Sequence, residues 1–119
     1  MRFKKVELGY YDTQTDLVWR EKDEPEQLTY RETINLIGSV WRPPTIAELV
    51  SLVDYSICNP ATLLPNIQEA YYWSSSLNVN DSTDSAWYVY FGDGGSDSYG
   101  DQNDTWNVRL ILRGSNGQI

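Results

Sequence analysis

The sequence predicts one small α+β domain: two helices packed on a small antiparallel sheet, with long loops in the C-terminal part. Three features carry this expectation. Two S/T-x-x-E capping signals mark two helix starts, at Thr29 and Thr45. Alternating apolar and polar residues in 86–91 and 108–112 have the period of strands. Between and around those strands, Gly, Asn, Asp and Ser dominate, as in turns.

In chain order, residues 6–20 read as strand, turn, strand, with Asp12 to Asp16 as the turn. Glu21 to Gln27 form a charged loop around Pro25. The first helix starts after Thr29, with Ile34 and Ile37 on its apolar face, Leu36 beside them and Gly38 as its stop. Trp41-Arg42-Pro43-Pro44 must be extended, because consecutive prolines exclude helix. The second helix follows Thr45, presents Ile46, Leu49, Leu52 and Val53, and is expected to end near Asp54-Tyr55. A loop over 56–70 leads to a strand at Tyr71 to Ser75. In 86–91 the pattern sets Trp87, Val89 and Phe91 on one face and Tyr88 and Tyr90 on the other. In the last strand Val108, Leu110 and Leu112 face inward, and Asn107, Arg109 and Arg113 face the other way.

At 119 residues the chain suits a single domain, and 40% apolar content is enough for a core. Seventeen acidic against nine basic residues give a formal charge of −8. That balance repels phosphate backbones and anionic lipid, so neither nucleic acid nor a membrane is an expected partner. No run approaches the about 20 apolar residues a membrane span needs. Met1 to Lys5 has the charge of a signal-peptide start, but Val6-Glu7-Leu8-Gly9-Tyr10 is no apolar core for one. The reading is an intracellular chain, or a mature or excised piece. With no histidine and one cysteine, His-dependent nucleophile systems, His-built zinc sites and intrachain disulfides drop out. Cys58 reads as a buried or half-buried loop thiol, and no enzymatic activity is expected.

Most of Ser74 to Asn107 is Asn, Asp, Ser, Thr, Tyr or Gly, and none of it is Lys, Arg or Glu. Interspersed Trp and Tyr argue for ordered loops on a β scaffold, where binding residues collect. The expected contact face is a 76–84 loop plus a 92–107 loop. Its candidate residues are Asn78, Asn80, Asp84, Tyr88, Tyr90, Asp93, Asp97, Tyr99, Asp101, Asn103 and Trp106. Trp41-Arg42 and Tyr72-Trp73, which could line a sugar site, read instead as framework. Glu48 reads as a cap rather than half of a carboxylate pair with Asp54. The aspartates of the loops read as solvated, with bound Ca²⁺ as the alternative, since their spacing matches no EF-hand.

Several of these stretches resemble one family, the C-terminal domain of the Legionella collagen-like adhesin. They are Asp12-Thr13-x-Thr15-x-Leu17-x-Trp19, Trp41-Arg42-x-Pro44-Thr45-x-x-Glu48-Leu49, Tyr71-Tyr72-Trp73-Ser74-Ser75-Ser76, Ala86-Trp87-Tyr88-Val89-x-Phe91 and Val108-Arg109. The resemblance implies a C-type-lectin-like fold on a secreted or surface protein that binds a protein or glycan ligand. The alternative it implies is an assembly module, such as a trimeric fibre tip. Some members are diversified by retroelements that change asparagine codons, and the composition of 74–107 fits that pattern. Members commonly carry cysteines in the first helix and last strand; here Ile34, Ile37 and Leu110 imply an apolar contact instead. The sulphated-polysaccharide ligand of the collagen-like adhesin needs clustered cations, which 74–107 lacks.

Overall fold

The structure, a computed structural model, describes residues 1–36, 38 and 40–113. Ile37 of the expected first helix lies outside the described residues. The α+β expectation holds, with one change of plan: there are two antiparallel sheets rather than one.

The first sheet gathers both ends of the described chain. It contains β1 (Phe3–Val6), β2 (Gly9–Asp12), β3 (Val18–Arg20), β4 (Trp41–Arg42) and β8 (Ile111–Leu112), in the order β1-β2-β3-β8-β4. The basic start of the chain is therefore an edge strand. The second sheet is β5 (Tyr71–Leu77), β6 (Ser85–Tyr90) and β7 (Gly95–Asp101), in that order. β7 corrects the expectation of a loop over 92–107. Its Ser and Gly content hid it, since strands that pack no apolar side chain lose the usual alternation signal.

The helices are α1 (Tyr30–Ile34) and α2 (Ile46–Val50), each five residues long. Both carry the capping box as read: Thr29 with Glu32, and Thr45 with Glu48. Both end earlier than expected. α1 closes at Asn35 before Gly38, and α2 closes at Ser51, after which only turn bonds continue to Val53. Helices this short are not stable alone, so tertiary packing must hold them.

The main core joins the sheets through Trp19, Leu49, Leu52, Tyr72, Val89, Phe91 and Ile111. A second cluster of Tyr30, Trp73, Ala86, Val108 and Leu110 lies on the other side of β5 and β6. Ile34 packs against this cluster, of which Leu110 is a member, so the residues expected in place of the cysteines share one apolar cluster. The final strand departs from its predicted two-faced pattern, because residues 107–112 are all buried. Trp87 also departs: it is half-buried and joins neither cluster, next to a shift in register between Ala86 and Tyr88.

Two buried ion pairs set the chain path. Arg109 is fully buried and donates to Asp23 at 2.9 Å, to the Arg20 carbonyl at 3.1 Å and to the Pro65 carbonyl at 3.2 Å. The other Asp23 oxygen accepts from the Tyr72 hydroxyl at 2.6 Å, and that hydroxyl accepts from the Gln68 backbone. Burial and Asp23 together push the Tyr72 phenol well above its ordinary range. At the other end Asp12, with no exposed surface, takes a bidentate bond from Arg2 at 2.9 and 2.8 Å. It also accepts from the Gln14 backbone and the Thr15 hydroxyl, which is why Asp12-x-x-Thr15 makes a fixed turn.

Asp23→Ala leaves the Arg109 charge buried without its partner, and should destabilise the fold by about 3 kcal/mol or more in urea denaturation. Acid should act through two other carboxylates. Burial alone raises Asp12 and Glu48. The bonds from Arg2, Gln14 and Thr15 to the first, and from Arg42 and Thr45 to the second, more than reverse that and hold both below their usual range. Their stabilisation is complete above the ordinary carboxylate pKa of about 4 and is lost as pH falls through the lowered folded values. The melting temperature should therefore fall below about pH 4, and less steeply in Asp12→Asn.

Candidate functional site

The register of the second sheet places one row of aromatics on a single face. Tyr71 pairs with Tyr90, Trp73 with Tyr88, Tyr88 with Asp97 and Tyr90 with Gly95. Side chains of directly paired residues share a face, so Tyr71, Trp73, Tyr88, Tyr90 and Asp97 stand together. Tyr72 and Val89 point the other way into the main core.

Trp106 closes the inner end of this row. It bridges to Leu28 through backbone bonds, and Asn107 bridges to Tyr72 beside β5. Its ring stacks on Tyr71 with centroids 5.0 Å apart and lies 4.3 Å from Trp73 and 4.9 Å from Tyr88. Tyr71 continues the cluster to Tyr90 at 4.7 Å and Tyr88 at 5.5 Å. Two glycines make room for these rings. A Cβ on Gly92 would run into the ring of Tyr90, and one on Gly100 would meet Tyr88, Trp73 and the Ala86 carbonyl. The Tyr88 phenol is raised by burial, and further by Asp97 and Tyr71.

At the outer end, Tyr71, Tyr88 and Tyr90 meet the β6–β7 turn around a cavity of about 210 Å³, with Asp93, Gly95, Ser96 and Asp97 as its other walls. Asp93 uses one oxygen to accept from the Gly95 backbone, and Asp97 uses one to accept from Tyr99. Such turns fix both carboxylates in place. A larger cleft of about 440 Å³ lies between α1 and β5, lined by Tyr30, Ile34, Pro43 and Leu77 among others. It contains none of the eleven candidate contact residues, though Arg42, read with Trp41 as framework, is on its wall.

The structure divides those eleven residues. Tyr88, Tyr90, Asp93 and Asp97 converge on the cavity. Trp106 is half-buried behind them as support. Asn80, Asp84, Tyr99, Asp101 and Asn103 are exposed, with Tyr99 at 69%, but lie away from the cavity lining. Asn78 is the exception. It is buried, donates to the Ser98 carbonyl at 3.1 Å and accepts from the Asn80 backbone, so it holds the β5–β6 connection to β7. Gln102 performs a similar task, donating to the carbonyls of Ser82 and Ser85. Sequence reasoning missed Tyr71, which is 42% exposed and central to the row. Its position in a Tyr-Tyr-Trp run marks it as strand, but only cross-strand register reveals which tyrosine faces outward.

Other sequence readings are settled by geometry. Tyr72 and Trp73 are fully buried framework, whereas Trp41 and Arg42 are half-buried. Arg42 holds both oxygens of Glu48, at 2.8 and 2.7 Å, in addition to the cap. Cys58 is an exposed free thiol, not a buried one. Among the described residues no group of three or more Asp, Glu or Cys side chains is placed to hold a metal ion, and no helix is long and apolar enough to cross a membrane.

With two capped helices, two antiparallel sheets and an aromatic face on the second, the chain is a small α+β domain of defined lineage. Residues 9–112 match the family model described as the Lcl C-terminal domain, and the chain belongs to that family. No curated protein and no solved structure matches it.

The two glycines differ in what an added methyl would meet. Gly92→Ala should keep the fold, because the far end of the Tyr90 ring can swing aside. Gly100→Ala meets backbone and a buried indole and should cost about 1–3 kcal/mol. Thermal melts of the two variants separate them, and equal losses would mean that the Tyr90 ring cannot move.

Proposed function

We propose that this chain is a recognition domain of the adhesin-associated kind, binding a protein or glycan rather than catalysing a reaction. The observation that carries this reading is the aromatic row on β5–β6–β7. It leaves tyrosine surface open beside fixed carboxylates, on strands rather than on loose loops. Rigid aromatic side chains with small polar neighbours gain contact area at low entropic cost. Membership of the Lcl C-terminal domain family supports the adhesin setting. The C-type-lectin-like reading is supported by the terminal strands sharing one sheet while β5, β6 and β7 form a second.

A second reading, an assembly module such as a trimeric tip, draws on the β5–β6 connection. There Val79 is 87% exposed and Leu77 is 42% exposed, and apolar residues at a hairpin tip suit contact with sister chains.

The test exchanges exposed residues only. Replacing Asn80, Asp93, Asp97, Tyr99 and Asn103 together by other polar or aromatic residues should leave the melting temperature nearly unchanged. Binding to a cognate partner, found on glycan and protein arrays with the unaltered chain, should be lost. Retained binding would remove the recognition face from this sheet. Obligate trimers with Leu77 and Val79 buried would favour assembly instead.

A further inference from the structure

We infer that the cavity at the β6–β7 turn receives the cationic head of an arginine or lysine side chain presented by a partner protein. This rests on the recognition reading and specifies the chemistry of its ligand.

The walls of the cavity sort into two kinds. Tyr71, Tyr88 and Tyr90 supply electron-rich rings, set at 68° and 35° to one another, so that a small group meets more than one ring. Asp93 and Asp97 supply carboxylates. Each spends one oxygen on its own turn, and no hydrogen bond among the described residues uses the other. Neither carboxylate joins any ion pair among the described residues. The sequence from Ser74 to Asn107 supplies no Lys or Arg to neutralise them.

The lining offers two carboxylates as charged acceptors, its side-chain donors are the hydroxyls of Tyr71, Tyr88, Tyr90 and Ser96, and none of its side chains is cationic. Guanidinium and ammonium groups only donate, and they match acceptors. They are also attracted to tyrosine faces, an interaction that strengthens as water is displaced. A cavity of about 210 Å³ has room for such a head. The formal charge of −8 draws basic partners toward the whole surface.

The experiment titrates the full chain with a blocked tripeptide bearing a central arginine. Matched titrations use the citrulline tripeptide, which keeps the shape without the charge, and N-acetylglucosamine and galactose. Backbone and ring NMR shifts of Tyr88, Tyr90 and Asp97 report occupancy. The arginine peptide should shift these signals, and citrulline should bind about ten-fold more weakly. Asp93→Asn with Asp97→Asn keeps the turn-making oxygens and removes both charges. It should bring arginine binding down to the citrulline level at an unchanged melting temperature. Gly92→Ala keeps both charges but displaces the Tyr90 ring, and should also weaken binding. Equal binding of arginine and citrulline, unchanged binding in the double variant, or no shift with arginine would overturn the inference. A neutral sugar that shifts the same signals would overturn it too, while leaving the recognition reading intact. That reading fails separately, if the exchanged loop variant still binds its array partner.

Discussion

The buried charge of Arg109 is the constraint on which the rest of this fold depends. A guanidinium removed from water must be paired, and here Arg20 and Asp23, at and just after the end of β3, and Pro65 in the 56–70 connection supply the partners. Through Asp23 and the Tyr72 hydroxyl the same network reaches β5 and the Gln68 turn. One ion therefore fixes the last strand, the charged loop after β3, the long 56–70 connection and the start of the second sheet. The aromatic face is built on β5, so its position follows from an interaction on the opposite side of that strand.

Parts of this were legible in the sequence because they depend on neighbours a few residues apart. Both capping boxes, the extended Pro43-Pro44 break and the strands at 71 and 86 are local signals, and they appear where expected. Long-range pairing was not legible. Arg109 reads as an outward residue of an alternating strand, and only Asp23, far away in the chain, makes its burial affordable. Asn78 reads as a loop amide for surface contact, yet the Ser98 carbonyl takes it inward. Polar residues obey the period rules only while water is their partner.

The candidate site shows the same division. Tyr88, Tyr90, Asp93 and Asp97 could be named from composition and turn chemistry, because they lie within one hairpin. Tyr71 could not, and Trp106, although named, could not be seen as its stacking partner, since that contact joins residues distant in sequence. Gly92 and Gly100 look like ordinary turn formers, but their present role is to leave space for two tyrosine rings. A site assembled from rings on adjacent strands is set by register, and register is a property of the pairing rather than of either strand.

β7 is the outer strand of its sheet, and a free strand edge invites another copy to pair with it. Asp97 and Asp101 along that edge, with Asp93 at the turn before it, place like charges wherever two such edges would meet. The small residues Gly95, Ser96 and Gly100 add little sticky surface. The strand thus carries its own protection against stacking into fibrils, and its acidity has a use even when nothing is bound.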